Sequence, residues 1–427
     1  MTSSVPSAEG FTRIGNVLSC EGVALTDIAR QWGTPAYVYS CSRIVHNIAR
    51  FRSALSGIRH EIRYALKANS AAGILQLMAR EGVGADTVSA GEIRRARRAG
   101  IPAGQIVFSG VGKTEEEIRY ALLEGIGCFN IESEAEFRRL GRIAAECGRQ
   151  ARFSIRCNPD VDAHTHPYIS TGLKKNKFGI PIESAEALYR ESLSQPCLKA
   201  VGVDAHIGSQ LLDPRPHSEA ARKLIDLVVR LRADGVPIEH IDIGGGYGIA
   251  YEQGEKPPDL GDFFGPVISL MKESGLDDLT LMVEPGRAIV GDAGVLLTTV
   301  QYMKDNGARR FAVVDAGMND LIRPALYSAW MRIEPLQIRE ELPAQTLDVV
   351  GPVCESSDFL GKDRLLCTAQ GEGLVVFDAG AYGASMASRY NSRALPAELL
   401  IDRGRIHVLR ERETFEQIIA GDNLIDL

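Results

Sequence analysis

The sequence lacks a long apolar run, a run of basic residues and closely paired cysteines. No apolar stretch approaches the roughly 20 residues that cross a membrane. The first residues, MTSSVPSAEGFTRIG, do not have the basic and then apolar order of a secretory signal. The formal net charge is −7. We therefore expect a cytoplasmic protein that binds neither membranes nor nucleic acid.

The cysteines are scattered along the chain. There are eight in 427 residues, with no C-x-x-C pair, which in a chain of this length indicates reduced thiols and neither a disulfide framework nor a zinc site. The segment DAHTH (162–166) brings two histidines close together. Such pairs in loops are more often solvated than metal-bound, so no metal is predicted.

Between residues 41 and 290 the chain alternates short apolar segments with helix-like ones, whose apolar residues recur every three or four positions. Eight repeats of strand and helix favour a (β/α)8 barrel of the TIM type, with a doubly wound open sheet as the alternative. The segments that predict strands are EIRYAL (61–66), GADTVS (84–89), QIVFSG (105–110), GCFNIE (127–132), ARFSIR (151–156), KAVGVDAH (199–206), HIDIGG (240–245) and LTLMVEPG (279–286).

After residue 290 the pattern changes to short strands separated by turn residues, with little helix between them. Examples are VLLTTVQYMK, RFAVVDAG, RLLCTAQ and GLVVFDAG. This pattern indicates a separate β domain. We predict a barrel domain at 41–290 and a β domain at 291–427, to which residues 1–40 contribute a strand, PAYVYS (35–40).

Chemically active side chains cluster where the predicted barrel strands end. Active sites of such barrels lie at the C-terminal ends of the strands, and phosphate often binds after strands seven and eight. GGGYG (244–248) and EPGR (284–287) follow those two strands, and Lys67 ends the first. GGGYG does not complete a dinucleotide fingerprint, because Ile249 occupies the last glycine position.

An amine at one strand end and an anion site at two others suggest pyridoxal 5'-phosphate. This cofactor needs an amine that binds it covalently, a partner for its ring nitrogen and an anion site. Glu284 can serve the ring nitrogen, because a carboxylate there keeps that nitrogen protonated. His206, at the end of strand six, is placed to face the ring.

Six motifs occur in order between residues 64 and 393: YALKANS, HIGSQ, GGGYG, EPGR, CESSD and GAYGASMASRYNSR. Together they resemble the fold-type III pyridoxal-phosphate decarboxylases, and within them the diaminopimelate decarboxylase family. The resemblance implies an alanine-racemase-like barrel with a β domain. It also implies conversion of meso-2,6-diaminopimelate to L-lysine and CO2, the last step of lysine biosynthesis.

The resemblance assigns roles to individual residues. Lys67 binds the cofactor covalently, His206 stacks on its ring, Glu284 faces the ring nitrogen and Cys354 is the proton donor. Further cofactor contacts are Asp86, Ser209, Gly246, Gly248, Pro285, Gly286, Arg287 and Tyr382. The small-molecule amino-acid substrate contacts Arg287, Arg323, Tyr327, Glu355 and Tyr382.

In the implied reaction the substrate amine replaces Lys67 on the cofactor, the α-carboxylate leaves, and Cys354 returns a proton. Arg323 pairs with the far carboxylate of the substrate, and Glu355 accepts from its far ammonium group. The family also implies a homodimer in which Cys354 and Glu355 reach the site of the other subunit. The segment PYISTGLKKNKFG (167–179) resembles a family loop near the site.

The sequence departs little from the family pattern, since CESSD replaces the common CESGD and GADTVS the common FDVAS, and neither change removes a required group. The alternatives are a related decarboxylase of ornithine or arginine, a pyridoxal-phosphate racemase, a non-catalytic carrier of the cofactor and a sugar-phosphate barrel enzyme. CESSD argues against the racemase, and the β domain argues against the carrier.

Overall fold

The computed structural model describes residues 10–162, 177–252 and 254–425. The described residues form two compact units. The barrel unit lies within Ile48–Ile249 and Lys256–Ala288, and the β unit lies within Met1–Asn47, Ala250–Glu255 and Ile289–Leu427. No helix in these described ranges is long and apolar enough to cross a membrane.

The first elements of the chain are short. A three-stranded antiparallel sheet comes first and is followed by a helix, a buried strand and a longer helix. These elements are β1 (Phe11–Ile14), β2 (Val17–Cys20), β3 (Val23–Ala24), α1 (Leu25–Trp32), β4 (Ala36–Ser40) and α2 (Cys41–Ala54).

Eight parallel strands close into a barrel. Each pairs with the next, and the last, β13, pairs with the first, β5, which completes the ring. The predicted barrel is confirmed, and the open sheet was wrong. The strands are β5 (His60–Ala65), β6 (Gly84–Thr87), β7 (Ile106–Phe108), β8 (Cys128–Ile131), β9 (Ala151–Asn158), β11 (Leu198–Asp204), β12 (His240–Asp242) and β13 (Thr280–Val283), with the two-residue β10 (Ile180–Pro181) paired to β9.

Helices connect the barrel strands, and their ends carry ordinary local signals. Thr114 and Glu117 form a capping box at the start of α5, and Gly125 ends that helix in the left-handed conformation at φ 69°. The helices are α3 (Ala72–Arg80), α4 (Ala90–Arg98), α5 (Glu115–Glu124), α6 (Glu134–Glu146), α7 (Ile182–Ser192), α8 (Arg215–Ala233) and α9 (Leu260–Glu273).

The β unit is built on a mixed sheet in the order β18-β17-β15-β14-β4-β20-β21, with β19 paired to β14 and β16 paired to β19. Strand β4, from the start of the chain, lies between β14 and β20. The short helix α10 (Arg287–Val290) begins in the barrel unit and ends in the β unit. The elements that follow it are β14 (Gly294–Asp305), β15 (Arg310–Val314), α11 (Arg323–Tyr327), β16 (Ile333–Pro335), β17 (Gln345–Val350), β18 (Phe359–Leu366), β19 (Gly373–Val376), β20 (Ala397–Asp402), β21 (Arg405–Arg410) and α12 (Phe415–Ile419).

One strand prediction in the β unit was misplaced. The segment RLLCTAQ was expected to be a strand, but β18 begins at Phe359 and ends at Leu366, before Cys367. The middle of β18 contains Lys362 and Asp363, and the pairing of β18 with β17 shifts register twice. These irregularities hide the strand, because apolar content marks only regular, buried segments.

A buried tyrosine supports an irregular part of the barrel wall. The pairing of β9 with β11 shifts register between Ala200 and Gly202. The hydroxyl of Tyr189, on α7, accepts from the Ile155 N–H at 2.8 Å and donates to the Gly202 carbonyl at 2.7 Å. This hydroxyl therefore satisfies one backbone group on each of the two strands where the ladder is disturbed.

We expect Tyr189→Phe to lower the free energy of unfolding by about 1–3 kcal/mol, because it leaves two buried backbone groups without this partner. Urea unfolding of the variant measures the loss. Tyr302, whose side chain is largely exposed on β14, gives the matched control Tyr302→Phe, for which no change is expected. An unchanged midpoint for Tyr189→Phe would show that other groups satisfy Ile155 and Gly202.

Candidate active site

Lys67 lies just beyond the end of β5. The strand stops at Ala65, and a single 3-10 turn over Leu66–Ala68 follows. The flanking residues Leu66 and Ala68 are buried, whereas the Lys67 side chain is 41% exposed, and its Nζ lies 3.1 Å from the buried Asp86 Oδ2. The turn therefore presents a single reachable amine, held by a carboxylate at the end of β6.

His206 follows β11 and is held as a neutral ring. Its Nδ1 accepts from the Gly245 N–H at 3.1 Å, which leaves the ring proton on Nε2. Burial, and then the charge of Arg156, lower the pKa of His206 well below its ordinary value. The imidazole is therefore uncharged at neutral pH and suited to stacking against a flat ring.

Glu284 follows β13 and is surrounded by other acids. Ligand atoms of Asp204, Asp242 and Glu284 lie within 4.8 Å of one another, and all three residues are buried. Burial raises the pKa of Asp242 to about 7. Burial, and then repulsion from Asp242, hold the pKa of Glu284 well above its ordinary value. Burial and mutual repulsion therefore favour the protonated form of these carboxyl groups, and a cationic partner beside them would favour the carboxylate.

The glycine segment after β12 packs closely against its neighbours. Gly244 and Gly246 have φ of 68° and 98°, which favour glycine. A Cβ on Gly245 would lie 2.1 Å from the Glu284 carbonyl oxygen, and one on Gly248 2.8 Å from that of Leu211. A side chain is therefore excluded at Gly245 and at Gly248, where the backbone packs directly against the neighbouring loops.

The EPGR segment after β13 meets the loops after β5 and β11. The Ala65 N–H donates to the Pro285 carbonyl at 3.1 Å. A Cβ on Gly286 would lie 2.9 Å from the Ala68 Cβ. Arg287 is buried, and its Nη2 donates to Ser209 Oγ at 3.0 Å. A guanidinium and a hydroxyl thus stand together, as an anion site requires.

The other predicted residues belong to the β unit and are described within it. Arg323, on α11, is 6% exposed; its guanidinium carbon lies 4.1 Å from the centre of the Tyr251 ring, and its Nη1 is 3.0 Å from Met331 Sδ. Tyr327 ends the same helix, and Tyr382 takes a left-handed backbone conformation at φ 57°.

Cys354 and Glu355 lie at the surface of the β unit. The predicted site residues therefore fall into two groups. The barrel unit contains the group with Lys67, and the β unit contains the group with Cys354. Two predictions fall largely outside the described residues, because both histidines of DAHTH and most of the segment 167–179 are in the undescribed range 163–176.

Sequence reasoning missed several residues of these groups. Asp204 ends β11 and Asp242 ends β12, and both are buried. A charged residue at the end of an apolar run was the sequence signal that could have identified them. Tyr390 and Asn391 hold Glu355 and Cys354. They lie within a quoted motif, but nothing in the sequence shows which residues they contact.

Comparison with known proteins identifies the family. The model of the pyridoxal-dependent decarboxylase pyridoxal-binding domain matches residues 41–291. The diaminopimelate decarboxylase of Pseudomonas aeruginosa is 50% identical to this chain, over 96% of the chain and 97% of the relative. The chain belongs to the diaminopimelate decarboxylase family. The six motifs predicted this family correctly.

Solved structures of the family agree with this assignment. Diaminopimelate decarboxylase from Helicobacter pylori, complexed with L-lysine, has a TM-score of 0.89 and 44% identity, and the match covers 93% of this chain and 98% of that one. The enzyme from M. jannaschii, in complex with L-lysine, has a TM-score of 0.93 and 38% identity, with 98% of both chains covered. The alternative predictions, another decarboxylase or a racemase, are not supported.

Members of this family use pyridoxal phosphate. The barrel residues of this chain are chemically suited to bind that cofactor. The buried Glu284 Oε1 has no hydrogen-bond partner among the described residues, so it is an acceptor that a protonated ring nitrogen can satisfy. Lys67 offers an amine, and Arg287 and Ser209 offer anion contacts, which are groups that this cofactor needs. These individual roles remain predictions.

We expect Lys67→Ala to lose both the visible absorption band of the bound cofactor and nearly all turnover, because the variant lacks the exposed amine at the barrel rim. Absorption spectroscopy of the purified protein with added pyridoxal phosphate, together with a CO2 assay, measures both. Lys272→Ala, at an exposed position on α9, is the control and should keep the band. A normal band in Lys67→Ala would make another lysine the anchor.

Proposed function

We propose that this chain removes one α-carboxylate from meso-2,6-diaminopimelate to give L-lysine and CO2, the last step of lysine biosynthesis. The observation that carries the proposal is the barrel rim, where the reachable Lys67 and the buried acceptor Glu284 follow adjacent strands. The family membership supports the substrate. The proposal includes a cytoplasmic location, which eight unpaired cysteines favour.

The barrel residues would bind and orient pyridoxal phosphate. When bound, this group supplies a ring that takes up the electron pair left by the departing carboxylate. Glu284 holds a proton at the ring nitrogen, and the neutral His206 packs against the ring face. Arg287, Ser209 and the glycine segment, with Gly246 and Gly248, bind the phosphate, and Tyr382 of the β unit is proposed to join them.

The β unit would bind the part of the substrate that does not react. Arg323 is restrained by Tyr251 and Met331, so its planar guanidinium loses little freedom when it binds a carboxylate through two hydrogen bonds. Tyr327 and Glu355 are the further contacts, and Glu355 accepts from the far ammonium group. Cys354 delivers the proton that replaces the lost carboxylate.

Measurement of CO2 release from meso-diaminopimelate, lysine, ornithine and arginine tests the function directly. We expect release from meso-diaminopimelate alone at a substantial rate, because the other three amino acids lack the far carboxylate that Arg323 binds. Amino-acid analysis of the product should give lysine. Release mainly from ornithine or arginine would overturn the proposal, and racemisation without release would assign a different reaction.

We expect Arg323→Ala to lower kcat/KM for meso-diaminopimelate, with a loss of about 3–5 kcal/mol in transition-state stabilisation. The reason is the loss of a buried charge that pairs with the substrate. The cofactor absorption band should change little. Arg403→Ala removes an arginine with a 94% exposed side chain and is the control. An unchanged kcat/KM for Arg323→Ala would remove this residue from the substrate site.

We also propose that the protein is a homodimer in which each active site contains residues of both subunits. Lys67 belongs to the barrel unit, whereas Cys354 and Glu355 belong to the β unit and are exposed on the described chain. A two-fold dimer in which this exposed pair enters the barrel site of the other subunit would hold two equivalent sites.

Subunit mixing tests the sharing. Lys67→Ala and Cys354→Ala are each expected to be nearly inactive, and a hybrid dimer would contain one site with both defects and one with neither. Random exchange makes about half of the dimers hybrid, so activity should return to about a quarter of wild type.

The control mixes Lys67→Ala with His206→Ala, two changes in the same unit, and should recover nothing. Hybrid formation is verified with two affinity tags after an exchange step. Inactive verified hybrids in the first mixture would mean that each site is built from one chain.

A further inference from the structure

In the β unit, the neighbouring residues Tyr390 and Asn391 form hydrogen bonds with the neighbouring residues Glu355 and Cys354 of another turn. The Tyr390 hydroxyl donates to Glu355 Oε1 at 2.5 Å, and the Cys354 N–H donates to Asn391 Oδ1 at 3.2 Å. The pair that the proposed function places in contact with substrate is therefore tied, residue by residue, to the segment that follows Ser388.

The turn that holds the pair is itself restrained. Asn391 and Ser392 have φ of 55° and 54°. Residues other than glycine adopt this left-handed backbone conformation only at an energetic cost. Arg393 anchors the next position through Asn319 Oδ1 at 3.2 Å and the Asp315 carbonyl at 2.5 Å. Asparagine tolerates the left-handed conformation and also supplies the acceptor for the Cys354 N–H.

The turn that carries Cys354 and Glu355 has a closed backbone. Asp358 accepts from the Val353 N–H at 2.7 Å and from the Met318 N–H at 2.6 Å. The Glu355 N–H donates to the Val353 carbonyl, and the Asp358 N–H donates to the Glu355 carbonyl. The backbone is thus set within the turn, and the direction of the Glu355 side chain depends on Tyr390.

We propose that Tyr390 and Asn391 are positioning residues that hold Glu355 and Cys354 in their working orientations before substrate arrives. This inference rests on the proposed function and adds two residues to it. Glu355 is exposed, so without the Tyr390 hydroxyl its side chain is free to adopt several rotamers, and binding must then restrict them. The hydrogen bond to Glu355 also raises the pKa of Tyr390, which keeps the phenol protonated and able to donate.

The two residues should affect different kinetic constants. Tyr390→Phe should raise KM for meso-diaminopimelate about tenfold and leave kcat nearly unchanged, because Glu355 binds an ammonium group that takes no part in the chemistry. Asn391→Gly keeps the left-handed backbone but removes the acceptor, and should lower kcat by about tenfold through misplaced proton return. Asn391→Asp retains an acceptor oxygen and should restore most of the rate.

A double-mutant cycle and a truncated ligand separate positioning from a structural effect. Tyr390→Phe should have no further effect in a Glu355→Ala background. It should also leave unchanged the inhibition constant of 2-aminopimelate, which lacks the far ammonium group. Tyr302→Phe is the control for loss of an exposed hydroxyl, and circular dichroism and the cofactor band verify folding.

Equal effects of Tyr390→Phe with and without Glu355, or no effect at all, would overturn the inference. If Asn391→Gly does not fold, Tyr390→Phe, which adds no bulk, carries the test alone. A wild-type protein without activity on meso-diaminopimelate would instead refute the proposed function. An active wild type with unaffected variants would refute only the positioning roles.

Discussion

The pairing of β13 with β5 is the constraint on which the rest of the barrel depends. It brings Leu281, Met282 and Val283 into register with residues from the first strand of the ring. Beyond the ladder, the Ala65 N–H donates to the Pro285 carbonyl. The loops that carry Lys67 and EPGR are therefore neighbours although they lie far apart in the chain, and this approach is close enough that only glycine fits at 286.

Closure also concentrates acidic groups inside the barrel. Asp86, Asp204, Asp242 and Glu284 are all buried, and each has a carboxylate oxygen with no hydrogen-bond partner among the described residues. Such groups are costly to bury, and burial raises the pKa values of Asp204, Asp242 and Glu284. A fold selected only for stability would avoid them. Their presence is consistent with a site that receives a cationic partner, since natural proteins accept instability where a function requires it.

Arg323 and Glu355, the two charged residues of the β unit that are proposed to bind substrate, are oriented by different kinds of contact. Arg323 is buried, and its guanidinium packs against an aromatic ring and a thioether, so these contacts restrict its conformation. Glu355 is exposed and is directed by one phenol hydroxyl. The first arrangement depends on packing and the second on a single hydrogen bond, which makes the orientation of Glu355 the more sensitive of the two to one substitution.

The sequence alone determined the eight barrel strands, the family and the positions of Lys67, His206 and Glu284. The strands and the rim positions could be predicted because buried parallel strands are nearly continuous apolar runs, and the residues that follow them must gather at one rim. The family followed from the resemblance of the six motifs. Tertiary structure alone decided that Asp204 and Asp242 stand beside Glu284, that Tyr390 and Asn391 hold Glu355 and Cys354, and where β18 begins. Each of these depends on contacts between residues distant in the chain, and local periodicity reports which face of an element is buried but not which residues meet there.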